Sequence, residues 1–261
     1  MEGKVMHQYT LYSSLMGKAV FITGGGSGIG ACLVEAFHRQ GAKVGFVDVD
    51  ASSSSNLLSR LHSQSEESIW YREADIADID LLQECISEFS ATAGGLDVLI
   101  NNVANDARQD TLELAPCEWR NGLAINLDAA FFATQAALKV MRTQREGVIL
   151  FMSSINALSG MTPSVPAYVT AKAGLLGLSK SLSREFGDFN IRSNAILPGW
   201  VATERQLGTW LTPEVEKDFL NKVALKRRLQ PQAIASTALF LASKDADMIT
   251  GQQFIVDGGC I

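Results

Sequence analysis

Histidine is scarce. Only His7, His38 and His62 occur among 261 residues, and none adjoins the motifs described below. A histidine-based triad and a catalytic zinc would both lack ligands. The four cysteines, Cys32, Cys85, Cys117 and Cys260, are scattered and include no Cys-x-x-Cys pair. That argues against a disulfide framework and a structural zinc site, and it suits reduced thiols in a cytoplasmic protein. No apolar run reaches about 18 residues, so neither a transmembrane helix nor a membrane partner is expected. Met1 to Gly17 lacks a basic head followed by a long apolar stretch, so no secretory signal is expected. Excess positive charge is missing too. Lys and Arg total 22 against 28 Asp and Glu, a net charge of −6, which argues against nucleic acid as the main partner.

What is present is apolar. The chain is 47% hydrophobic, enough for the core of one large α/β domain. Short apolar runs at Ala19–Thr23, Lys43–Val47, Ile69–Tyr71, Val98–Ile100, Val148–Met152, Ile191–Ile196 and Gln253–Val256 read as strands. Several are continuous rather than alternating, the pattern of strands buried on both faces of a parallel sheet. Helical patterns fall between them, near 29–40, 78–93, 117–143, 167–186 and 231–242, with Gly41 and Gly187 placed to end helices. Alternation of this kind builds a closed barrel or an open doubly wound sheet. One glycine-rich turn after the first strand favours the open sheet, a single-domain Rossmann-type fold of about seven parallel strands. Residues 1–15 read as a loosely held tail, 16–261 as the dinucleotide-binding and catalytic domain, with a substrate loop near 200–225. Ser52–Ser55 and Ser63–Ser68 read as capping and loop residues.

The turn is Thr23-Gly24-Gly25-Gly26-Ser27-Gly28-Ile29-Gly30. Its glycines follow Gly-x-x-x-Gly-x-Gly rather than Gly-x-Gly-x-x-Gly. Glycine permits a sharp turn and close approach to a pyrophosphate, which the N–H groups of the next helix then face. Gly24, Ser27, Gly28, Ile29 and Gly30 are the candidate cradle. No Gly-Lys-Ser/Thr follows, so a P-loop is disfavoured. Asp48 stands 18 residues beyond Gly30. There a carboxylate can accept hydrogen bonds from an adenosine ribose and repel a 2′-phosphate, which points to NAD. Capping the following helix is the plainer alternative. Asp75 with Ile76 follows the third strand; Asp75 could hold an adenine edge or cap a helix.

Thr23–Gly30, Asn101-Asn102-Val103-Ala104, Asn126, Ser154, Tyr168-x-x-x-Lys172 and Pro198-Gly199 together resemble the short-chain dehydrogenase/reductase family, in that family's order, from about Gly17 to Gly259. The chemistry suits these residue types. Tyr168 and Lys172 are four apart, so they share one helix face. A free phenol has a pKa of about 10, too high for a base at neutral pH. A neighbouring ammonium can bring it down by about 1–3 pH units. Tyr168 can then exchange a proton with a substrate oxygen. The resemblance selects Ser154 over Ser153 to orient that oxygen. It implies that Asn126 holds a water linking Lys172 to solvent, and that Asn101 steadies the central strands. It further implies that Asn102 lies at the cofactor, that Tyr168 and Lys172 meet the nicotinamide ribose, and that Pro198, Gly199, Val201 and Thr203 pass the nicotinamide. Ala104 departs from the family's usual glycine and narrows that space. Surface residues and turn serines are the plain alternative for each position taken singly.

The loops that would meet a small-molecule substrate are polar: Asn105 to Asp110, Asn156, and Trp200 to Gln206. They resemble members that oxidise aldose sugars at the anomeric carbon. Asn105, Asn156, Arg205, Ser154 and Tyr168 would bond hydroxyls, and Trp200 would cover an apolar sugar face. Reduction of another carbonyl (3-oxoacyl, steroid or small ketone) and a non-catalytic dinucleotide sensor are the alternatives. Small residues along 117–143 and 167–186, together with the resemblance, imply a homo-oligomer, dimer or tetramer.

Overall fold

The computed structural model describes residues 9–63, 69–203 and 213–261. Seven strands form one parallel sheet: β1 (Ala19–Thr23), β2 (Lys43–Asp48), β3 (Trp70–Glu73), β4 (Val98–Asn101), β5 (Gly147–Met152), β6 (Ile191–Pro198) and β7 (Gln253–Val256). Their spatial order is β3-β2-β1-β4-β5-β6-β7. The helices are α1 (Gly28–His38), α2 (Ala51–His62), α3 (Ile79–Ala93), α4 (Pro116–Leu123), α5 (Ala129–Gln144), α6 (Asn156–Ser159), α7 (Pro166–Glu185), α8 (Pro213–Lys222) and α9 (Pro231–Ala242).

Continuous apolar strands require cover on both faces, and both faces are covered. Val20, Ile22 and Ile100 pack with α1 and α9 residues such as Phe37 and Leu239. Phe21, Leu99 and Phe151 pack with Phe89 of α3, Ala133 of α5 and Leu175 of α7. Phe21 is fully buried, and Phe21→Ala should cost about 3–5 kcal/mol. The chain winds outward in opposite directions from β1 and β4, so a crevice opens beyond their carboxyl ends.

Some expectations need correction. Ser52–Ser55 lie inside α2, which Asp50 caps by accepting from the Ser53 N–H at 2.9 Å and the Ser53 hydroxyl at 2.6 Å. The serine-rich composition hid a helix whose apolar side is Leu57, Leu58 and Leu61. Gly41 is left-handed (φ 72), but Gly187 is not; Asn190 (φ 57) takes that conformation after a short 3₁₀ turn. Residues 9–15 are not loose. Tyr9 is buried with its hydroxyl 3.1 Å from Cys32 Sγ, Gln40 brackets Thr10 and Tyr12, and Leu15 is buried. Residues 1–8 and 64–68 lie outside the described residues. The segment near 200–225, expected to be a substrate loop, contains α8, while 204–212 lie outside the described residues. Ala129, Ala133, Ala136, Ala137 and Ala171 are buried within their own chain. They let α5 and α7 approach the sheet rather than marking an outer face. Among the described residues no helix is long and apolar enough to cross a membrane.

Candidate active site

The glycine turn is forced by space as well as by dihedral angle. Gly24 and Gly28 have φ of 69 and 54. A Cβ on Gly30 would lie 1.7 Å from the Gly24 carbonyl oxygen, and one on Gly26 would lie 3.0 Å from Asp48 Oδ2. Asp48 accepts from the Gly26 N–H at 2.8 Å and from the Asp50 N–H at 2.9 Å. Each carboxylate oxygen keeps a second acceptor site. The helix cap beyond β2 is Asp50, not Asp48. Ser27 precedes α1 in an extended conformation and makes no side-chain cap. The first N–H groups of α1, at Gly28, Ile29 and Gly30, lack a capping oxygen from it, as the N–H groups of a helix that meets an anion do. Asn102 holds the turn from β4: its Nδ2 donates to the Thr23 and Gly24 carbonyls at 3.1 and 3.0 Å. Asp75 is exposed and accepts from Ala77 N–H at 2.9 Å, whereas Asp78 caps α3; Ile76 is buried beside it.

Ser154 and Tyr168 come together at the end of β5, near enough for the serine hydroxyl to act on the phenol. Ser153 is spent elsewhere: its hydroxyl donates to the Lys172 carbonyl at 2.7 Å. That latch fixes α7 against β5 and leaves Ser154 as the serine facing the crevice. Lys172 is 1% exposed. Its Nζ donates to the Met152 carbonyl at 2.7 Å and lies 5.7 Å from the centre of the Tyr168 ring. Burial holds its pKa down at about 7. The expected lowering of Tyr168 is absent: burial pushes the phenol up, the Ser154 hydrogen bond lowers it and the charge of Asp106 raises it. The physical reason is that the same burial that isolates the phenol also disfavours the ammonium meant to help it. Asp106 was not singled out as acting on Tyr168; only its polar loop marked it.

Asn126 sits in a π-helical turn, Ala124–Asp128, between α4 and α5. Such turns insert one extra residue and recur at functional sites. Its side chain accepts from the Asn105 N–H at 2.9 Å and donates to the Asn105 and Gly122 carbonyls, each at 2.9 Å. The amide therefore clamps the loop after β4. Asn105 itself is exposed and closes a turn onto Ala107. The same loop is tied to the segment before α7, because Arg108 donates to the Pro163 carbonyl and Gln109 N–H to the Ser164 carbonyl, at 2.8 and 2.7 Å. Asn156, expected to meet substrate, engages Thr162 with both ends of its amide.

Beyond β6, the Pro198 carbonyl accepts from Ile155 at 3.1 Å, and Gly199 donates to Val256 at 2.9 Å. A Cβ on Gly199 would come within 2.7 Å of Asp257. Val201 bridges to Leu229. Thr203 lies opposite the glycine turn, its methyl 3.3 Å from where a Gly28 Cβ would be. Trp200 meets Phe219 of α8 edge-on, centroids 4.8 Å apart. Arg205 lies outside the described residues. Asn101 is buried and donates to Thr134 Oγ1 at 3.0 Å, beside a cavity of about 10 Å³ that it lines with Thr23 and Asn126.

Comparison with known proteins places these features in context. A family model described as "Enoyl-(Acyl carrier protein) reductase" matches residues 24–260. A Rhizobium meliloti protein named "Probable galactose dehydrogenase GalD" is 43% identical, over 95% of this chain and 96% of that one. A Caulobacter vibrioides D-xylose 1-dehydrogenase is 37% identical, over 95% and 98%. Among solved structures, a double mutant of a Serratia marcescens short-chain dehydrogenase/reductase superposes with a TM-score of 0.87 at 30% identity, covering 95% of this chain and 99% of that one.

Proposed function

The chain belongs to the short-chain dehydrogenase/reductase family, oxidoreductases acting on CH–OH groups, and from that premise we propose that it oxidises a small aldose at the anomeric carbon with NAD as hydride acceptor. One observation carries the reading: the Ser154 and Tyr168 hydroxyls meet beside buried Lys172, at the crevice that also holds the glycine turn. The sugar is supported by the relatives named for galactose and xylose.

NAD suits the crevice because the glycines there have no room for side chains and the turn is braced by a carboxylate. Gly24, Ser27, Gly28, Ile29 and Gly30 would hold the pyrophosphate, Asp48 the adenosine ribose, and Asp75 with Ile76 the adenine edge. Asn102 would keep the turn in place. Pro198, Gly199, Val201 and Thr203 would flank the nicotinamide, whose ribose would meet Tyr168 and Lys172. A 2′-phosphate would face Asp48 with no Lys or Arg in the turn to offset the repulsion. When bound, NAD supplies a ring that accepts hydride from the carbinol carbon.

The proton is the protein's task. Tyr168 takes it from the reacting hydroxyl, and Ser154 orients that hydroxyl. With a pKa of about 7, Lys172 carries a proton on about half of molecules near neutral pH. The protonated fraction favours the phenolate, while Asp106 opposes it. Loss of hydride from the anomeric carbon and of the proton from its hydroxyl leaves a lactone. Asn105, Trp200 and Arg205 are the proposed sugar contacts, Arg205 on sequence grounds alone. A second reading, reduction of an apolar ketone, draws on Leu158 and Met161, which are 50% and 47% exposed on the loop after Ser154. A homo-oligomer is also proposed, with the exposed Phe131 of α5 and Gly177 of α7 on its contact faces.

The test follows NADH or NADPH absorbance with galactose, arabinose, fucose, rhamnose, xylose, glucose and cyclohexanol, each with NAD and NADP, and with a β-ketoacyl thioester given NADH or NADPH. Turnover of an apolar substrate and of no sugar would overturn the aldose assignment.

A further inference from the structure

The loop between Ser154 and α7 contains a staple that the reaction scheme does not use. Asn156 Nδ2 donates to Thr162 Oγ1 at 2.8 Å, and the Thr162 N–H donates to Asn156 Oδ1 at 3.2 Å. Both ends of one amide are thus satisfied by one residue. The Asn156 N–H, on the same residue, donates to Ser154 Oγ at 3.2 Å. We propose that Asn156 and Thr162 form a positioning pair that aims the Ser154 hydroxyl at Tyr168 and the reacting oxygen. This rests on the dehydrogenase reading of the site and holds for any alcohol substrate.

The argument is one of direction. A serine hydroxyl has one proton and two lone pairs. With a lone pair taken by the Asn156 N–H, the Ser154 proton is left to point elsewhere, and the crevice side holds Tyr168. The direction of the Asn156 N–H depends on the backbone of a four-residue helix, α6, followed by left-handed Gly160 (φ 59). A helix that short has no stability of its own. Its start is held by the Ile155 N–H on the Pro198 carbonyl at 3.1 Å, and the chain beyond Thr162 by Arg108 and Gln109. Between those anchors the Asn156–Thr162 pair is the side-chain link that closes the loop. Charged groups facing Tyr168 are Lys172 on its own helix and Asp106 from the loop after β4; neither belongs to the staple.

Thr162→Val keeps the shape of the side chain and removes only the hydroxyl acceptor; Thr162→Ser restores it. Steady-state kinetics would use the panel substrate that turns over fastest, at saturating NAD. Thr162→Val should lower kcat about tenfold, as expected for a small loss of alignment, with KM changed less than about twofold. Thr162→Ser should recover most of the loss. The acid limb of the kcat profile should move to higher pH in Thr162→Val, because a weaker Ser154 hydrogen bond stabilises the phenolate less. In a Ser154→Ala background, Thr162→Val should have no further effect. Unchanged kcat and pH limb, a rise in KM alone, or full additivity with Ser154→Ala would each overturn the proposal. If Ser154→Ala and Tyr168→Phe themselves leave kcat intact, it is the catalytic reading that fails.

Discussion

Replacing Lys172 by methionine should make the protein more stable at neutral pH while abolishing its turnover. The lysine is buried, and no carboxylate acts on it; burial brings its pKa from the ordinary 10.5 to about 7. The unfolded chain therefore binds the proton more tightly than the native state does, and stability from this group falls as pH drops from 10.5 to 7. At pH 7.5 the difference amounts to about 4 kcal/mol, since each pH unit is worth about 1.36. Methionine fills similar space without the charge but leaves the Met152 carbonyl without its 2.7 Å donor, a loss of about 1–2 kcal/mol. The net gain is about 2–3 kcal/mol, or roughly 5–10 °C in Tm for a domain of this size.

At pH 10 the linkage contribution shrinks below about 1 kcal/mol, less than the lost hydrogen bond, so the order of stabilities should reverse between about pH 9 and 10. Urea unfolding of both proteins at pH 7.5, 8.5, 9.5 and 10 measures this directly. The difference between them cancels the other titrating groups, among them Tyr9 and Cys32, which burial pushes up. A variant no more stable than the wild type at pH 7.5, or a difference that does not change with pH, would refute the account of Lys172 as a strained, buried ammonium.

Tyr168→Phe should lower kcat about 10²-fold or more while NAD binding, followed by protein fluorescence, is retained. Wild-type kcat/KM should be higher with NAD than with NADP, and Asp48→Ala should narrow the gap; a wild-type preference for NADP would remove Asp48 from the ribose site. Gly30→Ala should fail to bind either dinucleotide and unfold at lower temperature, because its methyl would collide with the Gly24 carbonyl; cofactor titration with thermal melts reads both. Light scattering under dilute native conditions should give a multiple of the 28.1 kDa chain mass, and a one-chain mass would count against the oligomer.

The sheet was legible because burial on both faces leaves a one-dimensional trace. Ala19–Thr23 and Gln253–Val256 have the strand boundaries expected of them, and β2 and β6 run on by only one and two residues. The glycine turn was legible for a similar reason: a position that tolerates no Cβ can be filled by only one residue type. α2 was not, since most of its residues are polar and its cap is an aspartate two residues beyond Asp48. Nor was the seating of residues 9–15, which depends on Gln40 and Cys32 of another element.

Side-chain roles were harder to read than positions, and the asparagines show why. An amide both donates and accepts, so it can serve a ligand, a backbone or another side chain with equal chemistry. Asn102 braces the glycine turn, Asn126 clamps Asn105, and Asn156 closes onto Thr162. Two of these partners are remote in sequence: Asn105 lies 21 residues before Asn126, and Asn102 reaches 79 residues back along the chain. The burial of Lys172 belongs to the same class. Tyr-x-x-x-Lys on one helix says that the two side chains are neighbours, but not that the lysine faces a carbonyl with no carboxylate acting on it. That solvation state decides whether the ammonium is an ordinary cation or one near neutrality at working pH. It also makes the proposed proton-transfer role compatible with a cost in stability, since a group that titrates close to neutral pH can follow the charge of the site as substrate and cofactor come and go.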